Sequence, residues 1–105
     1  MRNALFDELF GIAATDDRLY VMVGDLGYSV VEPFAEAYPD RFLNAGVAEQ
    51  NMIGAAAGLA LTGEKTVFAY SIANFPVIRP LEFIRNDVCY HRANVKIICP
   101  GGGAA

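Results

Sequence analysis

Glu49, Gln50 and Asn51 stand side by side near the start of the stretch GVAEQNMIGAAAGLALTG (46–63), and every residue from Met52 to Leu61 is apolar or small. A surface helix spreads its charges along one face at helical spacing, so this stretch reads as a buried helix whose polar residues are gathered in its first turn. A carboxyl group in that position has two uses. The exposed amides of a first turn carry partial positive charge and favour an acid, which makes Glu49 a helix-stabilising residue on position alone. If the start of the helix lines an apolar cleft, the same carboxyl can instead hold or hand over a proton. The neighbours Asn44 and Gly46 before it, and the lack of a solvated helix behind it, favour a cleft.

Other residue types with chemical potential are scattered. Asp25 lies in GDLG (24–27), where it reads as an ordinary strand-to-helix turn residue, with Tyr28 and Ser29 in an exposed loop beyond. Phe75 follows a strand-like run and by itself is a core aromatic at a helix start. The polar trio Arg85, Asn86 and Asp87 suits ion pairs or helix-end hydrogen bonds, and His91, the only histidine, sits in a polar stretch at the surface. Cys89 and Cys99 are ten apart, without metal-ligand spacing, and read as reduced, partly buried thiols of a cytoplasmic protein. Gly54 and Gly58 share a helix face and permit close approach of another backbone, either the chain's own sheet or a helix across a subunit interface.

With 105 residues the chain is at most one domain, with room for a core but little for a complete pocket. Apolar residues make up 54% and charged residues only 19%, so part of the surface is expected to be covered by another chain or by further sequence. The net charge of −4 excludes the basic stripe that a nucleic-acid binder needs. No apolar run reaches membrane-spanning length.

The elements that must position these residues alternate regularly. RNALFDELFGIAAT predicts an amphipathic helix with Leu5, Leu9 and Ile12 inward, and RLYVMVGD a strand buried on both faces. EPFAEAYPD is a short helix with Pro33 in its first turn, RFLNAGV a second strand, and the opening stretch the long buried helix, stopped at Gly63. KTVFAYSI is a third strand, RPLEFIRNDVCYH a helix with Leu81, Ile84 and Val88 inward, and NVKIICPGGG a fourth strand. This is an α/β pattern: a parallel sheet with helices on both faces and its ligand sites beyond the carboxyl ends of the strands. An ending on a strand and GGGAA suggests one incomplete domain over 1–105, lacking at least one further βα unit.

The order and spacing of VMVGDLG, NAGVAEQNMIGAAAGLALTG, YSIANF and LEFIRNDVCYHRANVKII resemble the transketolase family, in particular the pyrimidine-binding domain that opens the short C-terminal subunits of split transketolases. The resemblance implies a thiamine-diphosphate-dependent enzyme that moves a two-carbon ketol unit between sugar phosphates. It makes Glu49 the residue that activates the cofactor by sharing a proton with a pyrimidine ring nitrogen, which drives the ring toward its imino form. Burial disfavours a charged carboxylate and a helix N-terminus favours it, so such a group can be poised between forms. The resemblance also implies pyrimidine stacking on Phe75, with Ile72 in the same slot where the family commonly has another Phe. Asp25 and Leu26 fall on the turn that reaches toward the thiazolium side.

Magnesium and the diphosphate are implied to lie on a partner, a diphosphate-binding subunit, because no GDG motif followed by an Asn-containing stretch occurs here. A homo- or hetero-oligomer follows from that division. A deoxyxylulose-phosphate synthase and the beta-type subunit of a pyruvate dehydrogenase share the helix-start Glu and stay open as alternatives. From another class, a small nucleotide-binding module using GDLG or PGGG lacks the full glycine fingerprint, and a non-catalytic interaction module is a third reading.

Overall fold

In the computed structural model, which describes residues 2–103, α1 (Arg2–Ala13) leads to β1 (Leu19–Val23), and α2 (Glu32–Ala37) with a single 3-10 turn (Pro39–Arg41) leads to β2 (Phe42–Asn44). The long helix α3 (Glu49–Gly63) precedes β3 (Thr66–Tyr70). Two short helices, α4 (Phe75–Ile78) and α5 (Leu81–Phe83), follow, and the second runs on as a π-helix (Ile84–Tyr90) before β4 (Val95–Ile98). The strands lie in the order β2-β1-β3-β4 and every pairing is parallel.

Alternation along the strands divides the core in two, as period-two side chains require. Leu19, Val21 and Val23 of β1 join Tyr70 of β3 on one face, under Phe6, Leu9 and Ala13 of α1 and Phe34 of α2. Met22 of β1 joins Val67 and Ala69 of β3 on the other, under Met52, Ile53, Ala56, Ala57 and Ala60 of α3 and Val88 of the π-helix. Helices therefore cover both faces, and the α/β architecture agrees with the reading from sequence.

Local departures have local causes. The inward stripe of α1 is Phe6, Leu9 and Ala13: Leu9 is buried as expected, Phe6 and Ala13 replace Leu5 and Ile12 beside it, and Ile12 is exposed. Phe6 wins because its ring meets Tyr70 edge-on, 5.2 Å between centroids. In α3 only one side is buried, and Leu61 and Ala55 face outward. Gly63 is its last helical residue, and Glu64 takes the left-handed cap instead.

The single helix expected over 79–91 begins earlier, at Phe75, and is interrupted near Pro80, which has no N–H to give. Leu81 is exposed, while Val88 is buried. Neither Gly54 nor Gly58 faces the sheet: Gly54 lies against Phe83, where a Cβ would stand 3.5 Å from that ring, and Gly58 faces open space.

Left-handed backbone recurs along the carboxyl rim, with Glu64 and Arg92 adopting it at the opposite end, before β3 and β4. Asp25, Gly27 and Ser29 after β1, Gly46 after β2, Asn74 after β3 and Gly101 after β4 all have positive φ. At Gly27 the requirement is strict, since a Cβ would approach Val31 to 2.6 Å. Of the five described non-glycine residues with positive φ, three lie on this rim.

Candidate functional site

The carboxyl ends of β1, β2 and β3 converge on Glu49. The loop after β2 turns at Gly46, the Ala48 amide bonds the Gly46 carbonyl at 2.9 Å, and α3 begins at Glu49 without a side-chain cap. Glu49 is 2% exposed, the only acidic residue among the described ones buried to that degree. Ser71, fully buried just after β3, donates its hydroxyl to Glu49 Oε1 at 3.4 Å. Arg79 donates from Nη1 to Glu49 Oε2 at 3.1 Å, and its guanidinium carbon lies 3.7 Å from the centre of the Phe75 ring. Gly24 makes room for this group: a Cβ there would come within 3.0 Å of the Ser71 hydroxyl.

The expected site residues thus fall into two neighbouring sets. Glu49 and Phe75 are joined by Arg79, and the Phe75 ring is partly exposed at the start of α4. Asp25, Leu26 and Ile72 line a separate open cleft of about 410 Å³ with Arg2, Tyr28 and Pro100. The sets are linked through backbone, the Phe75 amide bonding the Ile72 carbonyl at 3.0 Å. Ile72 itself is exposed.

Asp25 is engaged inside the chain. Its amide donates to Asn44 Oδ1 at 3.0 Å and its own Oδ1 accepts from Asn44 Nδ2 at 3.1 Å, while the Gly46 amide also donates to Asn44 Oδ1. This clamp ties the ends of β1 and β2 together in front of Glu49. Beyond it, the Ser29 amide donates to Glu32 at 3.0 Å and, with neighbouring amides, holds that carboxyl below its usual range. Tyr28 is almost fully exposed, as expected for a loop.

Remaining candidates are structural. Arg85 pairs with Glu82 one turn back, and exposed His91 bonds the Asn86 carbonyl through Nδ1, 2.8 Å away. Both cysteines are free; Cys89 is exposed rather than partly buried, because it points away from the face that carries Val88, and burial pushes the Cys99 thiol up. Among the described residues no three His, Cys, Asp or Glu side chains come together as a metal site. Likewise, no described helix is long and apolar enough to cross a membrane.

Sequence reasoning missed Arg79 and Ser71. The Phe75 to Arg79 spacing of four, which stacks a guanidinium on an aromatic along one helical turn, was the available signal. Nothing local announced the contact with Glu49, thirty residues away.

The sequence matches the family described as transketolase, pyrimidine binding domain, over residues 1–104. The chain belongs to that family. A protein of Methanocaldococcus jannaschii named as a putative transketolase C-terminal section is 47% identical over 104 residues, covering 98% of this chain and 33% of its own length. A subunit of the apulose-4-phosphate transketolase of Phocaeicola vulgatus is 38% identical over 105 residues, 99% of this chain and 33% of its own. Among solved structures, a split-gene transketolase described as an inactive beta4 tetramer superposes with a TM-score of 0.83 at 41% identity, covering 93% of this chain and 32% of that one. The chain spans about a third of the length of these relatives.

Proposed function

We propose that this chain supplies the pyrimidine half of a thiamine diphosphate site in a split transketolase. In that role it acts with a diphosphate-binding subunit to move a two-carbon ketol unit between sugar phosphates. One observation carries the reading: a carboxyl group buried at the start of an apolar helix stands one guanidinium away from a partly exposed aromatic ring. A flat nitrogen heterocycle needs those two groups, an acceptor in its plane and a ring on its face. The residues present therefore fit the group. When bound, thiamine diphosphate would supply the acidic thiazolium carbon on which ketol transfer depends.

Each residue of this chain has a task in that arrangement. Glu49 would hold or release a proton at a pyrimidine ring nitrogen, with Ser71 fixing one carboxyl oxygen. Phe75 covers the ring face and excludes water. Leu26 would border the thiazolium side of the cleft that it shares with Ile72, Ile72 would give the pyrimidine slot an aliphatic wall, and Asp25 holds that turn through Asn44. Magnesium and the diphosphate are assigned to the partner subunit.

Oligomerisation has a structural counterpart in the outer surface of α4 and α5, where Ile78 and Leu81 are two-thirds and more than half exposed. The transketolase subunit and the beta4 assembly among the relatives support a partnered state.

The test uses the chain assembled with its partner, thiamine diphosphate and magnesium. Glu49→Gln keeps shape and a hydrogen bond but cannot change protonation state, so cofactor affinity falls modestly while deuterium exchange at the thiazolium carbon slows by orders of magnitude. A purely helix-stabilising Glu49 would instead cost about 0.3–1 kcal/mol of stability and leave exchange unchanged. An unchanged exchange rate removes Glu49 from the chemistry.

A further inference from the structure

Arg79 touches both groups that the proposed site would use. Its guanidinium donates to the buried Glu49 carboxylate at 3.1 Å and lies 3.7 Å over the Phe75 ring, while 43% of its side chain remains exposed. A guanidinium is flat, cationic and edged with N–H donors. It therefore presents an in-plane donor to the acid and a face to the aromatic, the same two contacts that a protonated aminopyrimidine would make. The two cannot hold both contacts at once.

We propose that Arg79 is a resident placeholder: it occupies the Glu49–Phe75 slot in the cofactor-free chain and leaves when the pyrimidine ring enters. This rests on the pyrimidine-site reading of Glu49 and Phe75. The unequal burial of the pair sets the direction of movement. Glu49, 3% exposed at its side chain, cannot be left without a donor, because a buried charge that loses its partner is strongly destabilising. Arg79 already has much of its surface in water, so its guanidinium finds hydration at little cost when it leaves. The guanidinium is thus the mobile member, and it moves out only as another donor arrives at Glu49. Its position after α4 lets the side chain rotate away without disturbing Pro76 or Pro80, both of which are buried.

Two measurements on the full chain assembled with its partner subunit test this. The first compares Arg79→Leu with the unaltered protein, reading the thermal midpoint without cofactor and the Kd for thiamine diphosphate in saturating magnesium. A placeholder gives opposite signs. The midpoint falls because Glu49 loses its counter-ion, and Kd tightens on the order of fivefold, because the fraction of protein with an open slot rises. An Arg79 that merely supports the fold gives a Kd that is unchanged or weaker, and either result overturns the inference.

The second measurement needs no variant. Modification of Arg79 by phenylglyoxal, followed by peptide mass, speeds up when thiamine diphosphate binds; a slowed or unchanged rate overturns the inference. Glu49→Ala keeps the two levels apart. If it weakens cofactor binding while Arg79→Leu does not tighten it, the pyrimidine-site reading stands and the placeholder falls. If Glu49→Ala leaves Kd unchanged, or the unaltered assembly binds no thiamine diphosphate, both fall together.

Discussion

At the amino end of the strands the polar groups close on one another. Arg18 folds back onto Asp16 with a backbone and two side-chain hydrogen bonds, Arg41 donates to the carbonyls of Ala13 and Asp16, and Lys65 reaches the Asp17 carbonyl. At the carboxyl end, Asp25, Ser29 and Asn74 hold left-handed backbone, a carboxylate is buried against a half-exposed arginine, and Ile72 and Phe75 stand partly bare. One sheet carries both rims, so the contrast comes from the loops. The amino rim has left-handed residues too, Glu64 and Arg92, so the lesson lies in the side chains: a buried carboxylate and bare apolar groups collect where an α/β sheet is expected to meet its ligand, while the charges of the far rim are tied down.

The sharpest way to break this comparison is at Glu49. If the carboxyl rim is arranged for chemistry rather than stability, Glu49→Gln should slow cofactor proton exchange at least about a hundredfold in the assembled enzyme. The cofactor-free chain should at the same time lose about 1 kcal/mol or less, because Arg79 can turn to water once the charge is gone. Denaturant unfolding beside deuterium exchange reads both. A large stability loss with unaltered exchange would make this rim structural, like the other.

Asn44 is a place where the carboxyl rim imitates the amino rim, holding the amides of Asp25 and Gly46 and one Asp25 oxygen. Asn44→Ala removes all three bonds from an exposed site, so a cost of about 1–2 kcal/mol in urea unfolding is expected. Asn44→Asp should recover part of this, since a carboxylate still accepts from both amides but meets Asp25 as a like charge. Equal losses in the two variants would mean that the amide contacts contribute little.

Phe75 separates binding from folding. It is 38% exposed and stacks on Arg79, so Phe75→Ala should shift unfolding only slightly. Cofactor affinity should fall by up to about tenfold, corresponding to a stacking contribution of roughly 0.5–1.5 kcal/mol. A stability loss of several kcal/mol would return Phe75 to the core.

How far the sequence foretold these rims depends on the range of the interactions. Strand runs such as Leu19–Val23 and Thr66–Tyr70 were legible because a short apolar run, rich in β-branched and aromatic side chains, is written in neighbouring residues. Glu49 was legible because an acid opening an otherwise apolar helix is a local contradiction. The inward stripe of α1 was right at Leu9 and off by one at its two ends, since Phe6 is chosen by Tyr70, sixty-four positions away. Asn44 was noticed as a neighbour of Glu49 but not as the clamp on Asp25, which exists only once β1 and β2 lie side by side. Arg79 went unread for the same reason: its stacking partner is four residues away, but its carboxylate partner belongs to another helix.

The smallest expected effect lies at the amino rim and has a sign that pH can reveal. The Arg18 side chain, and then its backbone amide, hold the Asp16 carboxyl down at about 2, against an ordinary 3.8. A carboxyl that is more acidic when folded adds stability above its unfolded pKa and loses it as pH falls toward the folded value. The contribution of Asp16 should therefore be complete above about pH 4 and fade between there and about pH 2. Asp16→Asn has no such titration. Its deficit in urea midpoint relative to the unaltered chain should be steady at neutral pH, shrink through that acid window, and diminish with added salt, because the pair is exposed. A deficit that stays constant from about pH 5 to about pH 2 would show that Asp16 stabilises the turn through its shape, leaving the amino rim held by its carbonyl contacts alone.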